Sequence, residues 1–476
     1  MFNKNKKFYI TTSIPYTNAP PHIGFALESI QADVLARYNR GLGKDTFFLT
    51  GTDEHGIKTL RAAKEAGKDI KDFTDEVSGK FKSLAKVLNI SNDDFIRTTD
   101  EARHKPAVEK LWEKMDEKGD IYKKKYKGYY CPGCEAFKTE KEMVDGKCII
   151  HLKPLELVEE ENYFFELSKY TDKITGLIEK NKLIIIPEGK RNETLAMLKQ
   201  GMEDVSFSRT KDKYWGLQVP GDPSQIMYVW CDALSNYISA IGYTFDQKKF
   251  KKYWPADVHC IGKDIMKFHT IFWPAMLLSA GLELPKTIFV HGFINVGGQK
   301  MSKSLGNVID PFELVNKYGV DAVRYYLLRE VLPTEDGDFT YEKFEQRYNS
   351  DLAGGIGNLV ARVLGIAGKL DIKESKPTKK TSDKIKQIKE NYKSAIEEFK
   401  FNEALAHIWD LMSFCDKYIN EEKLWETKNL HVIKDLFFAI NEIGFLLLPF
   451  LPGTAEKIKK AVETKQSENL FPKILK

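Results

Sequence analysis

Two lysines three residues apart, in Lys300-Met301-Ser302-Lys303-Ser304, flank small hydroxyl side chains and follow the pair Gly297-Gly298. A mobile loop of this kind suits closure on a triphosphate, and its charges would offset those that build on a pyrophosphate leaving group. For a generic lysine pair, a solvated basic loop is the simpler reading. Far earlier stands Pro21-His22-Ile23-Gly24. There His22 offers a donor to a phosphate oxygen, and Gly24 lets the backbone and an adenine approach closely. A helix starting at this point would add exposed N–H groups and its dipole. Taken alone, His-x-Gly after a strand reads more simply as a turn histidine.

A different chemistry lies between these motifs. Cys131-Pro132-Gly133-Cys134 and Cys148-Ile149-Ile150-His151 present two ligand pairs on two turns, with Gly133 and Gly146 relieving the backbone. Three thiolates and an imidazole complete a tetrahedron around Zn²⁺. A lone C-x-x-C would leave a redox motif open, whereas four ligands at this spacing point to zinc. With no open coordination position, such a site is structural rather than catalytic.

The elements that must position these groups alternate in type. Residues 8–14 are β-branched and aromatic, then break at Pro15 and at Asn18-Ala19-Pro20-Pro21. Leu27, Ile30, Val34 and Tyr38 recur at helical spacing until Gly41 and Gly43, and a second apolar strand at 46–49 ends in Gly51-Thr52-Asp53-Glu54-His55-Gly56. Strand, loop, helix and strand open a parallel α/β sheet. The alternation returns with a strand at 257–261, a helix at 264–279 and a strand at 288–293. Between the two stretches, residues 118–226 carry the cysteine cluster, many charges and short strand-like runs, and read as an insertion. After Ser350, Leu359, Val363 and Ile366, then Ile396, Phe399, Leu405, Ile408, Leu411 and Phe414, repeat every three or four residues. That pattern predicts a helical bundle, with the lysine-rich stretch 373–386 as a solvated loop.

Bulk properties bound the rest. A chain of 476 residues exceeds what one core organises. The net charge of +5, from 73 basic and 68 acidic residues, permits a nucleic-acid partner without demanding one. No apolar run approaches the roughly 20 residues that cross a bilayer, so no membrane association is expected. Residues 8–12 read as a strand rather than a signal-peptide core. The cysteines outside the cluster, Cys231, Cys260 and Cys415, stand singly, unlike a disulfide scaffold. A reducing cytoplasm is the expected compartment.

Residues 300–304 make up the full second signature of the class I aminoacyl-tRNA synthetases, and Pro21-His22-Ile23-Gly24 resembles three-quarters of the first. The first signature normally ends in a second histidine, where this chain has Phe25, which cannot donate to phosphate. Within the class, several segments taken in order resemble the methionyl enzymes. Asp53, Ile14-Pro15-Tyr16, the run from Tyr228 through Trp230 and Ala233 to Tyr237, and Gly262-Lys263-Asp264-Ile265-Met266-Lys267-Phe268-His269 match their pocket walls. Without the family, Trp230 and Tyr237 read as core aromatics and Asp53 as a helix cap. Another amino acid of the same class, or a tRNA-binding paralogue without catalysis, remains an alternative reading.

The resemblance implies a Rossmann-type α/β nucleotide-binding domain at 1–117 and 227–290, interrupted by a zinc-bearing connective insertion at 118–226. A loop and stem-contact region at 291–350 and an α-helical bundle anticodon-binding domain at 351–476 complete it. It implies activation of methionine with ATP, Mg²⁺ accompanying the nucleotide, and transfer to tRNA(Met) bearing a CAU anticodon. His22, Lys300 and Lys303 would be catalytic, and Gly24, Gly262, Asp264, Met301 and Ser302 would join them on ATP. Ile14, Tyr16, Asp53, Trp230, Ala233, Tyr237, Ile265 and His269 would hold methionine, with Asp53 on its ammonium. Asn358, Arg362 and Trp425 would read the anticodon, and Cys131, Cys134, Cys148 and His151 match a single structural zinc site. A monomer is expected, because nothing after Lys476 supplies the extra domain of longer dimeric relatives.

Overall fold

The computed structural model describes residues 6–134, 136–138, 140–150, 152–211, 214–301, 306–367, 376–466 and 468–475. His151, Ser302 and Lys303 lie outside them. The chain divides into two units, one of residues 1–21, 43–83 and 92–290, the other of residues 22–42, 84–91 and 291–476.

The first unit is built on a six-stranded sheet of β1 (Lys7–Thr11), β2 (Asp45–Thr52), β3 (Asp94–Arg97), β4 (Ile184–Ile186), β5 (Val258–Gly262) and β6 (Thr287–His291). Their spatial order is β3-β2-β1-β5-β6-β4. Pairing is parallel between β1 and β2, β1 and β5, β2 and β3, and β6 and β4. Parallel strands are covered on both faces, hence the fully buried Tyr9, Ile10, Phe48, Leu49, Ile261, Ile288 and Phe289. Gly51 is required where β2 meets β3, because a Cβ there would lie 2.1 Å from Ile96 O. The order reverses between β1 and β5, and open α/β sheets bind ligands outside the carboxyl ends at such a point.

The segment read as an insertion forms a four-stranded sheet of Val205–Ser206, Glu156–Phe165, Ile121–Cys131 and Ala136–Lys138. Its charges are matched across strands, with Lys125 opposite Glu161 and Lys127 opposite Glu159. The same segment also supplies β4, the edge of the main sheet, from a continuous apolar run typical of buried parallel strands. The helix expected at 264–279 is present as one continuous helical run, which opens as a 3₁₀ turn (Lys263–Ile265), widens to π bonding over Phe268–Phe272 and ends α-helical (Trp273–Ser279). Pro274 has no N–H to return to Thr270, so regular α bonding cannot run through this point.

In the second unit, helix α1 (Ile23–Gly41) carries Asp33, whose Oδ2 lies 2.7 Å from Arg324 Nη2, both side chains being fully buried. Burial would raise the Asp33 carboxyl, but the Arg324 and Arg37 guanidiniums hold it below its usual range. Arg324 also donates to Leu88 O at 3.1 Å, Pro449 O at 3.0 Å and Phe450 O at 2.7 Å, joining α1 to residues 84–91 and to the turn at 448–450. The expected helical bundle comprises Asn358–Ala367, Lys379–Glu397, Phe401–Glu421, Leu430–Leu447 and Pro452–Thr464. Where a lysine-rich loop was expected, residues from Lys379 onward are helical, with Thr378 capping the Thr381 N–H. Thr381, Ile385, Ile388, Tyr392 and Ile396 form its buried stripe, which the dense lysines on the other face conceal in the sequence. Among the described residues no helix is long and apolar enough to cross a membrane.

Candidate active site and metal knuckle

The carboxyl ends of β1, β2 and β5 deliver Ile14 and Tyr16, Asp53, and Ile265 and His269 to one cluster in the first unit. Backbone bonds from Asp53 N to Pro15 O and from Thr17 N to Asp53 O, both 2.9 Å, hold the first two loops together. Asp53 is only 2% exposed, and its Oδ1 accepts the His55 N–H at 3.3 Å. Trp230 and Ala233 come from the helix Val229–Leu234, and Tyr237 from the turn Asn236–Ser239. The Trp230 ring stacks on Phe268 at 3.8 Å and 7°, with Tyr16 and His269 each edge-on at 6.3 Å. Phe268 was not singled out in the sequence, because an aromatic beside His269 is indistinguishable there from core.

The hydrogen bonds fix how the polar members point. His269 Nδ1 lies 3.0 Å from Ile265 O, an acceptor, so that nitrogen carries a proton. The Tyr237 hydroxyl, 2.7 Å from Nε2, is then placed to donate to that second nitrogen. Tyr9 Oη donates to Tyr237 O at 2.7 Å. Behind them Trp273 Nε1 donates to His259 Nε2 at 3.3 Å, leaving His259 Nδ1 to donate to Thr11 Oγ1 at 2.8 Å. Burial pushes His259 well below its ordinary value, so it stays neutral. The result is an apolar, polarisable cage with one buried carboxylate, suited to a thioether and an ammonium.

A second buried group ties the cage walls together and was missed in the sequence, since its members stand far apart in the chain. Asp232 accepts from His55 Nδ1 at 2.5 Å and from His104 Nε2 at 2.7 Å. Burial would raise the Asp232 carboxyl, but the two imidazoles hold it down at about 2. Asp232 thereby links the helix of Trp230 and Ala233 to the loop that carries Asp53. Glu54, fully buried, is gripped by Arg97 Nε at 2.6 Å and Nη2 at 2.9 Å. Of the residues expected on ATP, Gly262 ends β5, and Asp264 is exposed in the following 3₁₀ turn.

His22, Gly24, Lys300 and Met301 all belong to the second unit. His22 caps α1, its Nδ1 accepting the Gly24 N–H at 3.0 Å, which places the neutral ring's proton on Nε2. The glycine is needed: a Cβ on it would sit 2.9 Å from His22 Cε1 and 3.8 Å from Met301 Cε. One expectation is corrected here. The first N–H groups of α1 are not exposed, because Ile23 donates to Ile309 O and Phe25 and Ala26 to His22 O. Gly297 and Gly298 (φ 59° and 75°) form the tight turn of a hairpin pairing Asn295 with Lys300. Lys300 is exposed, with Nζ 5.4 Å from the Phe293 ring centre.

In the insertion, the sulfurs of Cys131, Cys134 and Cys148 lie within 4.8 Å of one another, and those of Cys134 and Cys148 are 3.6 Å apart. Tetrahedral Zn–S bonds of about 2.3 Å require sulfurs about 3.8 Å apart, so the cluster fits zinc. The Cys134 N–H also points to Cys131 Sγ at 3.4 Å. In the bundle, Trp425 is 55% exposed on the short helix Leu424–Thr427. Asn358 is exposed, and Arg362 reaches Asp416 Oδ1 at 2.8 Å and Asn420 Oδ1 at 3.3 Å.

Comparison with known proteins covers nearly the whole chain. The family described as tRNA synthetases class I (M) matches residues 8–153 and 138–364, and the anticodon-binding domain of tRNA ligases matches 379–474. A methionine–tRNA ligase of Thermotoga maritima is 45% identical over 96% of this chain and 75% of its own length. One from Brucella suis is 42% identical over 99% of this chain and 94% of its own. The crystal structure of Mycobacterium tuberculosis methionyl-tRNA synthetase bound by methionyl-adenylate superposes with a TM-score of 0.92 at 38% identity, covering 98% of this chain and 100% of the other.

Proposed function

The chain belongs to the methionyl-tRNA synthetase family of class I aminoacyl-tRNA synthetases, and from that premise we propose how its own residues perform the reaction. It activates L-methionine with ATP to methionyl-adenylate and pyrophosphate, then transfers the methionyl group to the 3′-terminal adenosine of tRNA. The methionine thioether lies in the cage of Tyr16, Trp230, Tyr237, Ile265 and His269, beside Ile14 and Ala233, and its ammonium pairs with Asp53. The substrate carboxylate attacks the α-phosphate in line. His22, Lys300 and Lys303 stabilise the charge that develops as pyrophosphate leaves, with Gly24, Gly262, Asp264, Met301 and Ser302 around the nucleotide. No side-chain nucleophile takes part; positioning and electrostatics carry the acceleration. The adenosine 2′-hydroxyl then attacks the adenylate.

The observation that carries the amino-acid assignment is the ring cage of Tyr16, Trp230, Tyr237 and His269, with the buried Asp53 held by its backbone on the Tyr16 loop. Zn²⁺ is the metal proposed for Cys131, Cys134, Cys148 and His151, where it would cross-link the insertion without entering the reaction, and Mg²⁺ accompanies ATP. A CAU anticodon would stack on Trp425, whose exposure supports that role, while Arg362 exchanges Asp416 for a base edge. A monomer in a reducing cytoplasm completes the reading, the compartment being supported by the buried single cysteines Cys231, Cys260 and Cys415. Amino-acid-dependent ATP–pyrophosphate exchange across the standard set tests the substrate, and faster exchange with another amino acid would overturn it. Trp425→Ala should raise the tRNA KM more than about tenfold and leave exchange unchanged. Equal aminoacylation of CAU and non-CAU tRNAs would refute the anticodon assignment.

A further inference from the structure

We infer that Glu28 and His291 form a positioning pair for the activation step, setting the base of the Lys300 hairpin against α1. The inference rests on the proposed role of His22 and the lysine loop at the phosphates. Neither residue belongs to that site: Glu28 is 4% exposed and His291 5%. His291 Nε2 lies 2.8 Å from Glu28 Oε2, and Nδ1 lies 2.7 Å from Gly292 O. A carbonyl only accepts, so Nδ1 carries a proton. The carboxylate–imidazole contact is then kept whether the remaining proton rests on Nε2 or on Glu28.

The pair sits at a point where movement would be transmitted. Gly292 admits no side chain, since a Cβ there would lie 1.9 Å from Glu335 O. Phe293 N donates to Asp336 Oδ1 at 2.9 Å, and Gly337 N donates to Phe293 O at 2.8 Å. The chain then enters Ile294–Val296, which pairs with Gly337–Phe339 and turns back to Lys300. Beyond the loop, Ile309 O accepts the first N–H of α1 at 3.2 Å. Both arms of the loop are therefore anchored on the helix that His22 caps. The middle of α1 is fastened separately by Asp33 and Arg324. Among the described residues, Glu28–His291 is the carboxylate–imidazole contact that joins α1 to the hairpin arm. Displacing a charged loop by about 1 Å can cost on the order of 10²-fold in rate without touching the substrate.

Methionine-dependent ATP–pyrophosphate exchange on the full chain tests this with Glu28→Ala, His291→Asn and Glu28→Gln. Glu28→Ala and His291→Asn should each lower kcat by about 10- to 100-fold, with the methionine KM within about twofold of the parent. The double variant should lose no more than either single change. Glu28→Gln should stay within about threefold of the parent, because its amide donates to Nε2 of a neutral His291. A folded Glu28→Ala or His291→Asn protein with kcat within about twofold of the parent would overturn the inference. So would a methionine KM that rises as much as kcat falls, which marks general loosening. If Glu28→Ala does not fold, His291→Asn decides alone. Absence of exchange in the parent would refute the phosphate-site reading instead.

Discussion

Replacing Tyr237 with phenylalanine separates a hydrogen bond that serves methionine binding from one that only holds the fold. The tyrosine is 1% exposed, and its hydroxyl donates to His269 Nε2 at 2.7 Å. On its far side His269 is held by Ile265 O at 3.0 Å, so the hydroxyl completes the fixing of that ring. The substitution removes one oxygen and leaves the Tyr237 ring against His259 at 4.2 Å and Trp273 at 6.0 Å, so the packing survives. Losing a buried donor costs about 1–3 kcal/mol. At about 1.4 kcal/mol per tenfold, that corresponds to about 5- to 140-fold. If His269 must be oriented to receive the thioether, the loss appears in the methionine KM, with the ATP KM and kcat within about twofold. Pyrophosphate exchange at varied methionine and varied ATP measures each. A variant with a lower melting temperature but an unchanged methionine KM would show the bond to be equally present with and without substrate, and would refute the reasoning.

Two further outcomes follow from buried groups. Asp232, held at about 2, lies below its ordinary unfolded value, so its ionised form stabilises the fold above that value and the contribution is lost as pH falls toward 2. A shift of about two units is worth about 2–3 kcal/mol. Asp232→Asn should therefore flatten the urea-unfolding midpoint against pH between about 4 and 2 relative to the parent, and parallel curves would contradict it. In the knuckle, burial pushes the Cys134 thiol up to about 12, and the nearby Lys138 ammonium offsets this only in part. Cys134→Ser should reduce bound zinc from about one per chain to near zero and open residues around the knuckle to protease, and full retention of zinc would exclude Cys134 as a ligand.

What the sequence disclosed depended on whether a group's partners were local. The strands at β1, β2, β5 and β6, the helical bundle and the Cys131–Cys134–Cys148 cluster follow from periodicity or short spacing, and each is present in the fold. The lysine-dense helix Lys379–Glu397 was hidden because its buried positions are a minority of its residues. The π stretch in the helix after β5 ends beside Pro274, a residue plain in the sequence, but whether a proline bulges, kinks or stops a helix is decided by packing. Phe268, and the partnership of Asp232 with His55 and His104, were invisible for another reason. Burial and pairing decide their roles: Phe268 stacks on Trp230, 38 residues away, and Asp232 meets histidines more than a hundred residues away.

The departure at Phe25 can now be weighed against the local geometry. A helix start that leaves its N–H groups open supplies several phosphate donors without any side chain. In α1 those groups are already used: Ile23, Gly24, Phe25 and Ala26 donate to Ile309 O, His22 Nδ1 and His22 O. Stabilisation of the triphosphate from this end of α1 therefore falls on the His22 Nε2 proton and on the helix dipole. A donor added at position 25 has no backbone competitor doing the same work. Phe25→His should therefore raise kcat for methionine-dependent exchange by up to about 10²-fold, the value of one well-placed donor to developing charge, and change the methionine KM little. Smaller and more polar than phenylalanine at a half-buried position, histidine should cost about 1 kcal/mol in stability. If kcat does not rise in a folded variant, the lysines of the 300–304 loop already neutralise the leaving group fully. The satisfied helix start would then be no handicap, and the reasoning from its hydrogen bonds would be wrong.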